Sequence, residues 1–363
     1  MKVLLVAPQS GSSGGIARWT NHILSYYNSL DDKSVQIDIF DTARSEFIPD
    51  NASFPRRVKL ALKDYGVIFK RFKSTLASDI YDVVHITSSA SLGLLRDLLM
   101  IKMTHKRGTK AIVHFRFGRI PQLFTHKNWE YHLLTRVAKK ADEVIVLDKL
   151  SFNVLIQNGY ENIHLLPNPI APGTLQCISD YGNLNREQGV ILFVGHCIAT
   201  KGVFELVHAC KDIPGIRLRL IGAIEEDVKK QLLQLSENGG WLEMLGEKPY
   251  KEVLRQMMIC DVFVLPTYTE GFPNVILEAM ACGCPILTTP VGAIPEMLEK
   301  EGNNECGILV PPKDEDSLQK AIVHLLMNPA YKENCGKNAK DRVTKRYTMA
   351  AIWSQMVKIW NNA

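Results

Sequence analysis

The chain has 363 residues, of which 46% are hydrophobic and 22% are charged, and this composition excludes a disordered, collagen-like or disulfide-framework protein. Residues 1–168 contain 23 Lys and Arg against 15 Asp and Glu, a net charge of +8, whereas residues 169–363 contain 20 against 23, a net charge of −3. All eight cysteines follow Asn168. The length and this asymmetry predict two domains with different partners.

Short apolar runs bounded by Gly, Pro or Asp alternate with helical patterns, which predicts βαβ units around parallel sheets. In the first half the predicted strands are Lys2–Ala7, Val35–Phe40, Asp82–Thr87, Lys110–Phe115, Glu143–Leu147 and Asn162–Leu166. In the second half they are Val190–Val194, Arg217–Ile221, Leu242–Leu245, Asp261–Leu265, Pro285–Thr288 and Gly307–Val310. We therefore predict an α/β protein in which two Rossmann-like domains face each other across a cleft.

The predicted domains are 1–168, together with about 349–363, and 169–348. Ile170–Gly189 is rich in Gly, Pro, Asn and Ser and is interpreted as an interdomain linker. Met349–Trp360 has apolar residues at four-residue spacing, so a C-terminal helix is predicted to cross back to the first domain.

The compartment is predicted from what the sequence lacks. It has no uninterrupted apolar run of about 18 residues, and Val3–Ala7 is too short for the apolar region of a signal peptide. Cys282-Gly283-Cys284 lacks a second Cys/His pair at zinc spacing, so buried cysteines are favoured over a metal or redox site. We predict a soluble protein in a reducing cytoplasm.

A glycine-containing loop, Pro8–Arg18, follows the first strand. Its glycines fall at positions 11, 14 and 15, which departs from the G-x-G-x-x-G spacing of dinucleotide-binding enzymes and disfavours NAD. Adjacent Gly14 and Gly15 allow the main chain to approach a ligand closely, and Arg18 is a candidate acceptor contact. The alternative is a flexible loop before a helix.

Arg56–Lys73 holds seven basic residues and one acidic residue. Helical spacing is kept by the apolar residues Val58, Leu62, Tyr65, Phe69 and Phe72. We predict that this stripe packs inward and that the cations face an anionic membrane surface. The alternative is that the cations are merely solvated, and nucleic acid is disfavoured because no aromatic-and-basic RNA-binding motif is present.

Two strands of the first half carry histidines near their ends, His85 and His114. His114 and Arg116 are two residues apart and so point to one side of a strand, and one of them is predicted to line the cleft. His85 is interpreted as a core or loop histidine and kept as a candidate acceptor contact. Arg116, Arg119 and Lys127 are predicted to bind an anionic acceptor.

A helix of about ten residues is predicted after the tenth strand, because Pro273 suits a first helical position and Gly283 a helix end. Its N–H groups around Gly271–Val275 would form an anion site at the positive end of the helix dipole. Glu270 and Glu278 flank that end, and carboxylates accept hydrogen bonds from vicinal hydroxyls. The alternative is that Glu270 complements the dipole and Glu278 is simply exposed.

The segment Glu270–Asn274, followed by Glu278–Pro285, resembles the E-x7-E region of the family-4 retaining glycosyltransferases, which have the GT-B fold. Phe193–Gly195 leading to Lys201–Gly202 is similar to the family's phosphate-binding strand and loop, and Leu166–Pro169 is similar to its interdomain junction. The strand ends Leu220–Gly222 and Leu245–Gly246 match as well.

The resemblance implies a nucleoside-diphosphate-sugar donor, with a UDP-sugar as the first candidate, and no metal or other cofactor. Lys201 would pair with the diphosphate, Glu278 with ribose hydroxyls and Glu270 with hydroxyls of the donor sugar. His196 stands where the family usually has an arginine, so one fixed positive charge is missing. The catalytic residues implied are Glu270, Lys201, His114 and Arg116. The other donor-binding residues implied are Gly14, Gly15, Gly195, His196, Gly222, Leu245, Gly271, Phe272, Pro273, Asn274 and Val275.

The implied reaction is a same-face displacement in which the departing diphosphate helps to deprotonate the acceptor hydroxyl. We predict a retaining, metal-independent glycosyltransferase of cell-envelope glycan biosynthesis, acting on a lipid-linked or polysaccharide acceptor at the inner face of the cytoplasmic membrane. Two alternatives stay open. One is a catalytically silent GT-B-like nucleotide-sugar-binding or partner protein, which His196 favours, and the other is a GT-B-fold epimerase.

Overall fold

The computed structural model describes residues 1–9, 15–31, 34–43, 54–237, 239–298 and 304–363, and for residues 54–63 it describes the main chain only. Two compact units are present, Met1–Asn168 with Ile352–Ala363, and Pro169–Ala351. Each contains a parallel six-stranded sheet, so the predicted α/β fold is confirmed. The predicted strands are all present, and their ends differ from the prediction by no more than one residue.

The first unit orders its strands β2-β1-β3-β4-β5-β6. Strand β3 is buried along its whole length, as is typical of a parallel sheet covered on both faces. The strands are β1 (Lys2–Ala7), β2 (Gln36–Asp41), β3 (Val83–Ser88), β4 (Lys110–Phe115), β5 (Glu143–Val146) and β6 (Ile163–Leu165). The helices are α1 (Gly15–Ser29), α2 (Phe54–Ser78), α3 (Gly93–His105), α4 (Ile120–His126), α5 (Trp129–Lys140) and α6 (Lys149–Gln157).

The second unit orders its strands β12-β11-β10-β7-β8-β9. The strands are β7 (Val190–Val194), β8 (Arg217–Ile221), β9 (Leu242–Gly246), β10 (Val262–Leu265), β11 (Ile286–Thr288) and β12 (Ile308–Leu309). The helices are α7 (Thr174–Tyr181), a 3-10 turn (Ala199–Lys201), α8 (Val203–Lys211), α9 (Glu226–Leu235), α10 (Tyr250–Ile259), α11 (Asn274–Ala281), α12 (Ile294–Met297), α13 (Glu315–Met327) and α14 (Pro329–Arg346).

The segment interpreted as a linker is a structured part of the second unit, so the prediction for Ile170–Gly189 is wrong. Helix α7 begins within it, directly after Gly173. Further on, the Arg186 guanidinium donates hydrogen bonds to the main-chain oxygens of Cys260 and Gly283, at 2.7 and 2.6 Å. Glycine and proline here mark the turns around a short helix, and the following arginine fixes the segment to the sheet.

The C-terminal helix α15 (Met349–Asn362) begins in the second unit, and from Ile352 onward it belongs to the first. Its predicted stripe of Ile352, Met356 and Trp360 is buried, at 0%, 0% and 1% exposure. The last turns of the chain therefore contribute an apolar face and one indole to the core of the first unit.

Helix α2 is longer than the predicted basic segment and buries one face. Tyr65, Ile68, Phe72 and Leu76 are buried, whereas Phe69 is only partly buried. The predicted inward packing is confirmed for the residues described, with Ile68 rather than Phe69 in the stripe. The side chains of Val58 and Leu62 lie outside the described residues.

Candidate functional site

The carboxyl ends of the strands in the second unit are brought together by main-chain contacts at glycines. The Gly195 amide donates to the Ile221 oxygen at 2.9 Å, and a Cβ on Gly222 would stand 1.9 Å from the Gly195 oxygen. Gly222 also has φ +142°, which side-chain-bearing residues rarely adopt. The direct approach of the two strand ends therefore requires glycine at 222, and Gly195 supplies the main-chain oxygen that Gly222 meets.

Lys201 is positioned by the same kind of packing. It ends the 3-10 turn, and the next residue, Gly202, has φ +72° with a virtual Cβ 2.0 Å from the Pro266 oxygen. This approach places the turn against the loop that follows β10. Lys201 Nζ lies 2.5 Å from Glu270 Oε1, and the two side chains are 27% and 14% exposed. The structure therefore pairs two predicted catalytic residues that are 69 positions apart.

The loop before α11 is held from a third side. Ala293 donates its amide to the Gly271 oxygen at 2.9 Å, and a Cβ on Gly292 would stand 2.3 Å from the Glu270 oxygen. The ring of Phe272 is buried against Tyr347, 5.9 Å between centroids. Gly292 was missed from the sequence, although it lies in the loop that follows β11, where a glycine is a readable signal.

Helix α11 begins at Asn274, and Pro273 is its N-cap residue with φ −75° and ψ 111°. The prediction that Pro273 occupies the first helical position is therefore wrong by one residue. The N-cap residue offers no side-chain hydrogen bond to the helix. The N–H groups of the first turn, among them that of half-buried Val275, thus lie at the positive end of the dipole beside Glu270.

Glu278 is half-buried on α11, one turn after Asn274. Partial burial of the phenol raises the pKa of Tyr250, and the nearby Glu278 carboxylate raises it further. The Tyr250 hydroxyl shares a 2.8 Å hydrogen bond with Thr174 Oγ1. Glu278 is thus directed toward the start of α10, which is a polar position rather than a freely solvated one.

His196 is exposed, so it is not a packed core histidine. Leu245 is half-buried at a bulge, because the register passes from Leu220↔Met244 to Ile221↔Gly246 and leaves Leu245 unpaired in the ladder. Both residues border the carboxyl ends of the sheet, as the resemblance implies.

The carboxyl ends of the first sheet hold a buried polar array that the sequence showed only in part. Trp360 Nε1 donates to His85 Nδ1 at 2.9 Å, His85 Nε2 lies 3.3 Å from His114 Nδ1, and His114 Nε2 lies 3.1 Å from Arg116 Nη1. Arg116 Nη2 donates to Asn168 Oδ1 at 2.7 Å. We name Trp360, His85, His114 and Arg116 the tandem-histidine array.

Burial dominates the electrostatics of the tandem-histidine array. Both imidazoles are fully buried. Burial, followed by the charge of Arg116, lowers the pKa of His85 to about 3 and that of His114 well below its usual value. Burial also lowers the pKa of Arg116 to about 9. The prediction that His85 contacts an acceptor is therefore wrong, since it is a core histidine with both ring nitrogens occupied.

Of His114 and Arg116, only Arg116 has appreciable exposed surface, so it is the residue that can meet a ligand without rearrangement. Its guanidinium lies over the Trp19 ring, 4.4 Å from the centroid. The sequence did not point to three residues that belong to the array or contact it. Trp19 lies on a face of α1, Trp360 lies on the C-terminal helix, and Asn168 lies in the loop after β6.

The remaining candidate site residues of the first unit are exposed or lie outside the described residues. Arg119 is exposed, and its Nη2 lies 2.5 Å from Glu130 Oε1, so its guanidinium already forms an ion pair with a buried carboxylate. Arg18 is exposed on α1, and a Cβ on Gly15 at the start of that helix would meet open space. Gly14 lies outside the described residues.

Seven of the eight cysteines are buried thiols and Cys177 is partly exposed. Over the described ranges, no three His, Cys, Asp or Glu side chains are grouped so that they could hold a metal ion. Over the same ranges, every helix is too short or too polar to cross a bilayer.

Residues 178–342 match the family model described as glycosyl transferases group 1. Over these residues the chain is similar to the group 1 glycosyltransferases. The region matched by the group 1 model contains Lys201, Glu270 and Glu278, so the resemblance seen in the E-x7-E region is confirmed.

Curated relatives of the chain include an uncharacterized glycosyltransferase of Methanocaldococcus jannaschii, 31% identical over 201 residues, and the Staphylococcus aureus capsular polysaccharide biosynthesis glycosyltransferase CapM, 29% identical over 189 residues. These alignments cover 55% and 50% of this chain and 54% and 48% of the relatives, so the chain spans about half the length of each. An MMP alpha-(1->4)-mannosyltransferase of Mycolicibacterium hassiacum is 25% identical over 309 residues, 78% of this chain and 71% of the relative.

Among solved structures, sucrose-phosphate synthase from Thermosynechococcus elongatus is similar with a TM-score of 0.76 and 20% identity, over 100% of this chain and 98% of the other. Anabaena HepE in complex with UDP-glucose has a TM-score of 0.69 and 19% identity, over 100% of both chains. The predicted GT-B fold is confirmed by these likenesses.

Proposed function

We propose that the chain is a group 1 glycosyltransferase, retaining and metal-independent, that transfers a sugar from a nucleoside-diphosphate sugar to a hydroxyl of a lipid-linked or polysaccharide acceptor. A UDP-sugar is the first candidate donor. The observation that carries the proposal is the Lys201–Glu270 pair beside the N-terminus of α11, at the carboxyl edge of a parallel sheet, where ligands of open α/β sheets bind. CapM supports glycan biosynthesis by its name, and the UDP-glucose complex of HepE supports the donor class.

The chemistry follows from where the charges lie. In a same-face displacement, the bond between the anomeric carbon and the phosphate oxygen breaks, the acceptor oxygen bonds to that carbon, and the acceptor proton passes to the diphosphate. The Lys201 ammonium and the first N–H groups of α11 would stabilise the developing negative charge. A bound diphosphate would draw Lys201 from Glu270, which would leave the carboxylate to accept hydroxyls of the donor sugar.

The first experiment is a thermal-shift screen of the full chain against UDP-, GDP- and dTDP-sugars, because a ligand that binds the folded state raises the melting temperature. The ligand found is then tested for hydrolysis and transfer in EDTA. We expect activity in EDTA and an α-configured product from an α-linked donor. Complete dependence on a divalent ion contradicts metal independence, and binding without turnover points to the silent binding protein.

The control for the donor site is a matched pair of lysines. Lys201→Ala is expected to lower the affinity for UDP about tenfold or more, because a charge-assisted hydrogen bond to phosphate is lost. Lys248→Ala removes an exposed lysine of the same unit and is expected to have no effect. Equal UDP affinity in both variants would contradict the assignment of Lys201.

We also propose that α2 holds the enzyme at an anionic membrane surface. Lys70, Arg71 and Lys73 are exposed while the opposite stripe is buried, so the cations are available for lipid headgroups. Pelleting with anionic but not neutral vesicles, lost at high salt, supports this location, and equal recovery in the supernatant contradicts it.

A further inference from the structure

The tandem-histidine array contains one hydrogen more than its three contacts can use. The Trp360 indole and the Arg116 guanidinium are donors only, and they close the array at its two ends. Two neutral imidazoles lie between them and carry one N–H each. Four donor hydrogens, one from each residue, are therefore available for three contacts. At one of these contacts two N–H donors must point at each other.

The indole decides which contact that is. Because Trp360 donates to His85 Nδ1, the neutral His85 ring carries its hydrogen on Nε2 and donates it to His114 Nδ1. His114 then carries its own hydrogen on Nε2, which faces Arg116 Nη1 at 3.1 Å. His114 consequently offers Arg116 no acceptor.

Arg116 is therefore short of acceptors on two sides. Within the part of the chain that the structure describes, its Nε is buried with no hydrogen-bond partner, and its Nη1 meets an N–H instead of a lone pair. The indole nitrogen of Trp19, whose ring lies beneath the guanidinium, is likewise buried and unpartnered. Among the described residues, the neutral acceptor that faces Arg116 is Asn168 Oδ1. Burial lowers the pKa of Arg116, and no carboxylate contributes to that shift.

Unsatisfied buried donors cost free energy, which an acceptor of negative charge would recover. We infer that Arg116 binds an oxyanion, phosphate or carboxylate, carried by the acceptor substrate, and that Trp360, His85 and His114 are positioning residues that keep the guanidinium unsatisfied until it arrives. This inference rests on the proposed glycosyltransferase function for the identity of the ligand as acceptor. The inference does not extend to the neighbouring Arg119, because that guanidinium already forms an ion pair with Glu130.

The binding test uses inorganic phosphate and, separately, acetate, titrated calorimetrically into the full chain carrying Lys201→Ala, so that the predicted donor phosphate site is removed. We expect one anion site whose affinity falls about tenfold or more in Arg116→Gln. The matched control is Lys110→Gln, which removes an exposed cation at the other end of β4. The response to phosphate or to acetate tells which oxyanion is preferred. Absence of binding for both, or binding unchanged by Arg116→Gln, overturns the inference.

The positioning role has its own readout in the histidine tautomers. In protein labelled with 15N-histidine, we expect nuclear magnetic resonance to show neutral Nε2–H rings for His85 and His114. Trp360→Phe should release the constraint, move the His114 hydrogen to Nδ1 and weaken anion binding although Arg116 is intact. Trp353→Phe, on the same helix, keeps the Trp360 donor and is expected to change neither result. An Nδ1–H tautomer of His114 in the unsubstituted chain overturns the assignment even where Trp360→Phe does not fold.

Failure of this inference and failure of the proposed function can be told apart. UDP binding by the unsubstituted chain reports on the proposed donor site of the second unit. If UDP binds and neither anion is held through Arg116, the function stands and the inference fails. If an anion is held through Arg116 and no nucleotide sugar is bound, the proposed function fails, and with it the identity of the ligand as an acceptor.

Discussion

The two sheets end in sites that are built by different means. In the second unit, glycines at 202, 222 and 292 allow main chain to meet main chain, and the charged side chains Lys201 and Glu270 satisfy each other. In the first unit, two buried imidazoles and an indole surround a guanidinium whose donors are not all satisfied. A site built from main-chain contacts depends on the absence of side chains at a few positions, whereas a side-chain array depends on hydrogen-bond complementarity.

The largest effect is expected where main-chain packing is blocked. Gly222→Ala adds a Cβ 1.9 Å from the Gly195 oxygen at φ +142°, and both the clash and the backbone strain oppose folding. We expect a loss of more than about 3 kcal/mol in the free energy of unfolding, measured by urea denaturation. Gly240→Ala, where a Cβ would meet open space, is the control. Equal losses in the two variants would contradict the claim that strand-end packing requires glycine.

The second prediction concerns acid stability of the first unit. Folding lowers the pKa of His85 from 6.5 to about 3, so below pH 6.5 the unfolded chain binds a proton that the folded chain does not. Stability from this residue is complete above pH 6.5 and falls as the pH drops toward 3, by an amount on the order of 4 kcal/mol. Urea denaturation between pH 7 and 4 should show a shallower dependence in His85→Leu. His126→Gln, which removes an exposed histidine, should leave the slope unchanged.

The third prediction separates the two carboxylates of the second unit. Glu270→Gln removes the partner of Lys201 and the proposed sugar contact, so transfer should fall about 100-fold while UDP affinity is kept or rises. Glu278→Gln, the proposed ribose contact, should instead weaken UDP itself by about tenfold. Steady-state kinetics and UDP calorimetry on both variants provide the test. A parallel loss of UDP affinity in both would show that the two residues act as one structural unit.

The smallest effect per residue is expected at the membrane surface. Each exposed cation of α2 is worth about 1 kcal/mol near an anionic leaflet, so combined Gln substitution of Lys70, Arg71 and Lys73 should weaken vesicle binding roughly 100-fold. A triple substitution of exposed lysines in the second unit, at 229, 230 and 251, provides the charge-matched control. Equal loss in both variants would indicate attraction by net charge alone.

Much of the fold could be predicted from local pattern. The strands were readable because buried parallel strands are short apolar runs bounded by Gly, Pro or Asp. The linker prediction failed because Gly173 and Gly182 also flank a short helix, and composition does not distinguish a turn at a helix end from a flexible connection.

The sequence by itself indicated most of the second-unit site, because Gly195, Gly222, Lys201 and Glu270 come after strand ends, and ligands of open parallel sheets bind beyond those ends. Only the tertiary structure decided the first-unit site. His85 and His114 were visible as candidates, but their tautomers depend on an indole 275 positions from His85. Long-range hydrogen bonds between side chains leave no periodic signal in a sequence, and they alone decide which donors of Arg116 are left for a ligand.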